Sequence, residues 1–346
     1  MISFLDQDFS QLNHFLIDLK PSKIIVLVDE NTHEYCLPVL LGNLETEIPF
    51  EIIEIEAGED LKTIETATQL WEILSDFEAD RKALMINLGG GVITDMGGFV
   101  ASTYKRGIRF INLPTTLLGM CDASIGGKTG IDHNFLKNII GTFAEPEKIF
   151  VFPEYLKTLP FAELRSGFAE MLKHGLIADE KHWNDLISIQ ELSAENIFPF
   201  IETSMKIKQN IVEQDFREQH LRKTLNFGHT VGHALESLFL QQAKLIPHGE
   251  AVALGMITEV RLSFLTGLIP EDVAENIISN LRKFYPYIPI SQFPDEEILA
   301  LMLNDKKNSS GKISFSLLDK IGTGNFDREV SRQELISALH YYQNLR

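Results

Sequence analysis

Cysteine is scarce, with only Cys36 and Cys121 in 346 residues. Two thiols do not make a disulfide framework, so a disulfide-stapled secreted scaffold is excluded and a reducing compartment is expected. Long apolar runs are missing too. The longest, such as Ile24 to Val28, fall far short of the ~20 residues that cross a bilayer, so no membrane span is expected. The opening residues, MISFLDQDFSQLNHF, carry acids and no basic n-region, so no signal peptide is read there and a cytoplasmic protein is expected. Low-complexity tracts and internal repeats are absent. Positive charge is in deficit: 31 Lys and Arg face 49 Asp and Glu, a net of −18. That balance argues against nucleic acid or an anionic membrane as the main partner.

What is present fits a compact globular chain, with 44% hydrophobic and 23% charged residues. At roughly 150 residues per domain the length suggests two domains. Residues 1–155 hold 11 Lys and Arg against 24 Asp and Glu, and the remainder 20 against 25. A protein this acidic that binds an anionic ligand must gather its few cations locally.

The first half alternates between strand and helix patterns. Ile24–Val28 is a β-branched run ending at Asp29, and Phe50–Ala57 alternates apolar and acidic residues. Over 63–79 the period changes, and Ile64, Ala67, Leu70, Trp71, Leu74 and Phe77 form one apolar helical stripe. Ala83–Leu88 then runs as a strand into Gly89-Gly90-Gly91, followed by a helical pattern over Thr94–Ser102. Strand, glycine cluster and helix is the order of a nucleotide-binding α/β unit. After about Pro160 long helical patterns dominate (164–178, 193–213, 221–240, 249–267, 271–284). The spacing therefore predicts an α/β Rossmann-like nucleotide-binding domain over 1–160 and a mostly α-helical domain over 161–346. The active site is expected in the cleft between them.

The Gly89–Gly91 cluster lets backbone approach a pyrophosphate at a helix start. Because Thr94 stands three places after Gly91, it is not GxGxxG, and a tight turn without ligand is the plain alternative. Asp29, ending a strand, stands where a carboxylate can hold a ribose hydroxyl, though a solvated turn Asp is as good a reading. Gly126-Gly127-Lys128-Thr129 invites a P-loop reading, but Asp122 occupies the place of the first Walker glycine, and the reading fails. Leu221–Glu236 is more telling. As one helix it would align Arg222, Asn226, His229 and His233 along a single face. HExxH is absent, since Thr230 stands where Glu should be, and a bare HxxxH is more often surface or core than metal site. His248-Gly249-Glu250 at another helix start, with Glu170 and Lys173 sharing a face at i, i+3, changes the balance. One Glu and two His with an open fourth position is a catalytic Zn²⁺ arrangement. Arg106, Lys128, Lys137, Lys173, Lys208, Arg222 and the pair Lys306-Lys307 each stand within two residues of a Gly, Asn or His. As a set they suit a phosphorylated, carboxylated sugar.

Together these segments resemble the 3-dehydroquinate synthases of the sugar-phosphate cyclase group. The matching runs are GGGVITDMGGFVAS (89–102), RGIRFINLPTTLLGMCDASIGGKTGID (106–132), KNIIGTF (137–143), SGFAEMLKHGLI (166–177), LRKTLNFGHTVGHALE (221–236), HGEAVALGM (248–256) and NDKK (304–307). The resemblance implies a phosphate-eliminating lyase of the shikimate pathway acting on 3-deoxy-D-arabino-heptulosonate 7-phosphate. In that reaction transient oxidation by NAD⁺ precedes phosphate loss, re-reduction, ring opening and an intramolecular aldol closure, with no net redox change. It implies Zn²⁺, or Co²⁺ in its place, held by Glu170, His229 and His248. NAD contacts implied are Asp29, Asn31, Glu59, Lys62, Gly90, Gly91, Val92, Asp95, Thr115, Thr116, Asp122, Lys137, Thr158 and Leu159. Substrate contacts implied are Asp122, Lys128, Lys137, Asn138, Lys173, Lys208, Arg222, Asn226, His233 and Lys306 or Lys307. The resemblance implies that Lys128, Lys173, Arg222, Asn226 and His233 carry the catalysis, with His233 the candidate for proton transfer because imidazole can give or take a proton near neutral pH. A homodimer is implied, with Arg106 reaching the partner's substrate phosphate.

Three other readings compete. A sister cyclase acting on sedoheptulose 7-phosphate lacks a substrate carboxylate and departs from Gly126-Gly127-Lys128 and Lys137–Gly141, which are intact here. A metal-dependent NAD(P) dehydrogenase of the glycerol-1-phosphate type would turn over NADH and need fewer cations. A non-catalytic binding protein would have no use for the metal and proton-transfer set.

Overall fold

The computed structural model describes residues 2–133, 136–303 and 313–345. The chain divides into two compact units, Met1–Pro160 and Phe161–Arg346. In the first, the elements are β1 (Ile2–Phe4), α1 (Ser10–Leu19), β2 (Ile24–Asp29), α2 (Glu30–Tyr35), α3 (Leu37–Asn43), β3 (Phe50–Ile55), α4 (Ile64–Asp76), β4 (Leu84–Gly89), α5 (Gly91–Thr103), β5 (Arg109–Pro114), β6 (Lys128–His133), β7 (Leu136–Phe143) and β8 (Ile149–Val151). Six strands form a wholly parallel sheet in the order β1-β8-β5-β4-β2-β3. β2 is buried up to Asp29 and reads as an unbroken apolar run, while β4, buried throughout, is interrupted only by Asn87, whose Nδ2 donates to Asn112 Oδ1 at 2.9 Å. β3 closes one edge, where Glu51 and Glu54 discourage pairing with a foreign strand.

The stripe read over 63–79 is α4. The Thr63 hydroxyl caps it by accepting the Thr66 N–H, and Ala67, Leu70 and Leu74 enter a core shared with Ile25, Leu27 and Met85 of the sheet. α5 is buried on nearly every side, because it lies between β4 and β5 on one flank and β6 on the other. The β6–β7 pair is antiparallel, from Lys128 opposite Phe143 to His133 opposite Leu136. No strand is legible there in the sequence.

The second unit contains α6 (Phe161–Ala178), α7 (Glu180–Ile187), α8 (Ala194–Gln214), α9 (His229–Gln241), α10 (His248–Leu265), α11 (Glu271–Phe284), α12 (Asp295–Leu303), a strand pair β9 (Ser314–Lys320) and β10 (Thr323–Glu329), and α13 (Arg332–Gln343). α10 is the hub, buried along most of its length and packed by α6, α9, α11, α13 and β9. The helical pattern expected over 221–240 does not form one helix. Residues Leu221–Asn226 wind as a 3₁₀ segment, Gly228 turns left-handed at φ 81°, and α9 starts afresh at His229. Among the described residues, no helix is long and apolar enough to cross a membrane.

Candidate active site

In the first unit the strand order reverses between β2 and β4: the chain leaves β2 for β3 on one side and returns to β4 on the other. Open parallel sheets bind ligands at such a switch, beyond the carboxyl ends of the strands. There stand Asp29, last residue of β2, and Gly89, last of β4. Asp29 caps α2, its Oδ1 accepting the Thr32 N–H at 2.8 Å and the Thr32 hydroxyl at 3.0 Å. Asn31 is exposed on that helix's first turn. Gly90 is the N-cap of α5 and brings no capping side chain, so the N–H groups of Gly91 and Val92 begin the helix uncapped by it. A Cβ at Gly90 would lie 2.9 Å from Thr116 Cγ2, and the Thr115 N–H donates to the Gly89 carbonyl at 3.0 Å, so the Thr115-Thr116 turn is pressed against the glycine cluster.

Asp122 is half-buried within a π-helical turn, Gly119–Ala123, a distortion that recurs at functional sites. Cys36 is buried near the same strand ends. Burial foremost, with Asp29 adding and a Thr115 hydrogen bond opposing, pushes its thiol up to about 12. Tyr155, in the 3₁₀ turn Pro153–Thr158 that leads to Leu159, is raised by burial and by Cys36.

A second cluster gathers around Lys62, which is 3% exposed. Its Nζ meets Asp95 Oδ2 at 2.7 Å and Asn138 Oδ1 at 2.6 Å. Its carbonyl accepts the Asp132 N–H at 2.7 Å, Asp132 Oδ1 accepts the Asn138 N–H at 2.7 Å, and Lys137 Nζ stands 3.8 Å from Glu59 Oε1. Burial alone would lower the lysine's pKa. Asp95 first, with Glu59 and Asp132, outweighs it and holds Lys62 above its ordinary value. Burial raises the Asp132 carboxyl in turn. The structure thus unites Glu59, Lys62, Asp95, Lys137 and Asn138, which the sequence singled out, with Asp132, which it did not. The one signal for Asp132 was its place ending the GGKTGID run. Lys128 is exposed and opens a strand rather than a helix, unlike a P-loop lysine. Arg106 is exposed at the end of a left-handed turn, with φ 50° at Lys105 and 67° at Arg106.

In the second unit three helices converge. Glu170 of α6 is fully buried. Lys173, one turn on, pairs with its Oε2, while His229 Nε2 lies 3.5 Å and His248 Nε2 3.8 Å from its Oε1. His229 and His248 are the first residues of α9 and α10. His233 follows one turn after His229, with its ring 5.1 Å from that of His229 and 5.8 Å from that of His248. Glu236 Oε2, a further turn along α9, is 3.5 Å from His248 Nδ1.

Arg222 and Asn226 do not share the face of His229 and His233, as a single helix would require. The break at Gly228 has a packing cause: a Cβ there would sit 2.8 Å from the Val252 carbonyl of α10. Arg222 is instead held by a loop. Its N–H donates to Asp215 Oδ2 at 3.0 Å and its Nη1 to the Phe216 carbonyl at 2.6 Å. Asn226 Nδ2 donates to Glu218 Oε1 at 2.7 Å. Lys173, Lys208 and Arg222 are nearly wholly buried, three cations where burial is costly unless an anion answers. Asp215, Glu218 and Glu236 were not foreseen, because their partners are set by folding rather than by a motif. Lys307, with the rest of the NDKK run, lies outside the described residues.

The family models for the 3-dehydroquinate synthase N-terminal and C-terminal regions match residues 52–166 and 167–308. A 3-dehydroquinate synthase of Parabacteroides distasonis is 39% identical over 96% of this chain and 95% of its own. The crystal structure of 2-deoxy-scyllo-inosose synthase, complexed with carbaglucose-6-phosphate, NAD⁺ and Co²⁺, is similar at TM-score 0.84 and 22% identity over 98% of this chain and 96% of that one. The 2-epi-5-epi-valiolone synthase of Streptomyces hygroscopicus, with NAD⁺ and Zn²⁺ bound, reaches TM-score 0.83 at 25% identity over 99% and 96%. With family models covering most of its length and a relative this close along nearly all of it, the chain belongs to the 3-dehydroquinate synthase family.

Proposed function

We propose that the chain converts 3-deoxy-D-arabino-heptulosonate 7-phosphate into 3-dehydroquinate and phosphate in the shikimate pathway, using NAD and a divalent metal. The observation that carries this is buried Glu170, with Lys173 on one oxygen and two imidazole Nε2 atoms 3.5 and 3.8 Å from the other. Tetrahedral Zn²⁺ with bonds of about 2.0–2.2 Å separates its ligand atoms by about 3.3–3.6 Å, so these donors stand close to ligating distance already. Glu170, His229 and His248 would hold Zn²⁺, or Co²⁺ in its place. When bound, the metal supplies Lewis-acid stabilisation of a substrate oxygen and NAD supplies a reversible hydride acceptor.

The chain's own groups do the rest. Asp29 takes the ribose hydroxyls, and the N–H groups of Gly90, Gly91 and Val92 take the pyrophosphate at the start of α5. Asn31, Glu59, Lys62, Asp95, Thr115, Thr116, Thr158 and Leu159 orient the remainder of the cofactor. Lys128, Lys137, Asn138, Lys173, Lys208, Arg222 and Lys307 bind the substrate's carboxylate, hydroxyls and phosphate, with Asp122 and Asn226 orienting hydroxyls. His233 takes and returns a proton at a substrate hydroxyl oxygen through its imidazole nitrogen. A second copy of the chain supplies Arg106 to the phosphate, so the working form is a homodimer, resident in the cytoplasm.

The test is a phosphate-release assay on three substrates. Release from 3-deoxy-D-arabino-heptulosonate 7-phosphate, abolished by chelation, is the expected result. Turnover of sedoheptulose 7-phosphate instead would make the chain a sister cyclase. NADH accumulating on glycerol 1-phosphate would make it a dehydrogenase.

A further inference from the structure

α9 carries His229 and His233, yet its N-cap is Gly228, which has no side chain to meet the first N–H groups. Buried helix starts need acceptors from elsewhere. Here they come from α10. Glu259, fully buried, accepts the Gly228 N–H at Oε2 (2.6 Å) and the Val231 N–H at Oε1 (3.2 Å). The two amides bracket His229, so one carboxylate spans the turn that presents it.

α10 reaches that turn because the two backbones touch. A Cβ at Gly255 would lie 1.8 Å from the Gly228 carbonyl oxygen, and one at Gly232 would lie 2.9 Å from that of Ala251. A buried carboxylate is costly to keep, and the two N–H groups at the positive end of α9 offset the cost. The same bonds tie together the two helices whose first residues are His229 and His248.

We propose that Glu259 is a positioning residue: through the Gly228 and Val231 amides it sets where α9 begins and how it is rotated, and so places His229 Nε2 at 3.5 Å from Glu170 Oε1. The inference rests on the metal reading above. Glu259→Gln keeps the volume but turns one acceptor into an NH₂ that faces a backbone N–H.

The test strips full-length wild type and E259Q of metal, titrates both with CoCl₂ against a chromophoric chelator, and records the cobalt d–d spectrum. E259Q, folded by circular dichroism, is expected to bind Co²⁺ about 10-fold more weakly or worse, with an altered spectrum. A variant that melts lower yet keeps wild-type affinity and spectrum overturns the proposal, since Glu259 would then serve stability alone. Should E259Q not fold, hydrogen exchange in metal-free wild type decides. Slow exchange at Gly228 and Val231 supports the anchor, and exchange at the rate of solvent-exposed amides overturns it. Wild type that binds no Co²⁺ overturns the metal reading together with this inference.

Discussion

The Gly249 N–H of α10 donates to Ser166 Oγ of α6 at 2.9 Å, and a Cβ at position 249 would fall 2.1 Å from the Ser166 carbonyl oxygen. The contact lies one helical turn before Glu170 and next to His248. It is the place where two of the three helices bearing the proposed metal ligands are pinned together.

Gly249→Ala therefore has no room and must push α10 off α6. It is expected to lose about 1–3 kcal/mol of stability by overpacking and to bind metal more weakly than wild type. Urea denaturation and metal analysis of the purified variant check both. Ser166→Ala removes only the hydrogen bond and should cost about 1 kcal/mol.

Lys62→Met leaves the Asp95 carboxylate facing a methyl thioether in place of an ammonium. Removing one partner of a buried pair costs about 3 kcal/mol, and the loss should appear in the denaturation midpoint. Because the folded lysine titrates above its ordinary 10.5, its pairing is fully present at neutral pH and is lost only as pH rises through that elevated value. The variant should also bind NAD⁺ more weakly in a calorimetric titration.

His182 on α7 governs part of the acid limb of stability. Burial first, against the pull of Asp179 and Asp185, lowers its pKa from 6.5 to about 4, and among the described residues its Nε2 has no hydrogen-bond partner. The folded chain refuses a proton that the unfolded chain accepts below pH 6.5. Stability should thus fall between pH 6.5 and 4, by about 3 kcal/mol, and level off beneath. His182→Leu should flatten that limb in denaturation curves across the range.

Cys36 and Cys121 are both free and buried, and the Cys36 thiol is pushed up to about 12. A thiolate is the reactive form, so native protein should resist a thiol reagent at pH 8 that titrates two sulfhydryls after denaturation. Fast labelling of the native chain would contradict the burial of both.

The parallel sheet and its glycine cluster were legible because β2 and β4 are buried strands whose apolar runs end at Asp29 and Gly89. The grouping of Glu170, His229 and His248 was legible through the family resemblance and the motifs around them, not through helical spacing. The break at Gly228 was not, since the pattern of Leu221–Glu236 continues a helix and only the approach of α10 forbids it. β6 and β7 hid among glycines and short apolar runs, and β9 and β10 lie beyond the last helical pattern, where no element was read. Asp132, Glu218 and Glu259 stayed invisible because each acts on backbone or side chains that only folding brings near.

A cyclase of this kind uses NAD⁺ without consuming it, and the proposed site makes it depend on a metal held in the second unit. The measurement is a stoichiometry: chelator-stripped protein, restored with Zn²⁺ or Co²⁺, given NAD⁺ and 3-deoxy-D-arabino-heptulosonate 7-phosphate, and followed for phosphate, 3-dehydroquinate and NADH together. Equal phosphate and 3-dehydroquinate are expected, with no build-up of NADH and no product before metal is returned. Product formed by the stripped protein, or NADH rising in step with substrate loss, would contradict it.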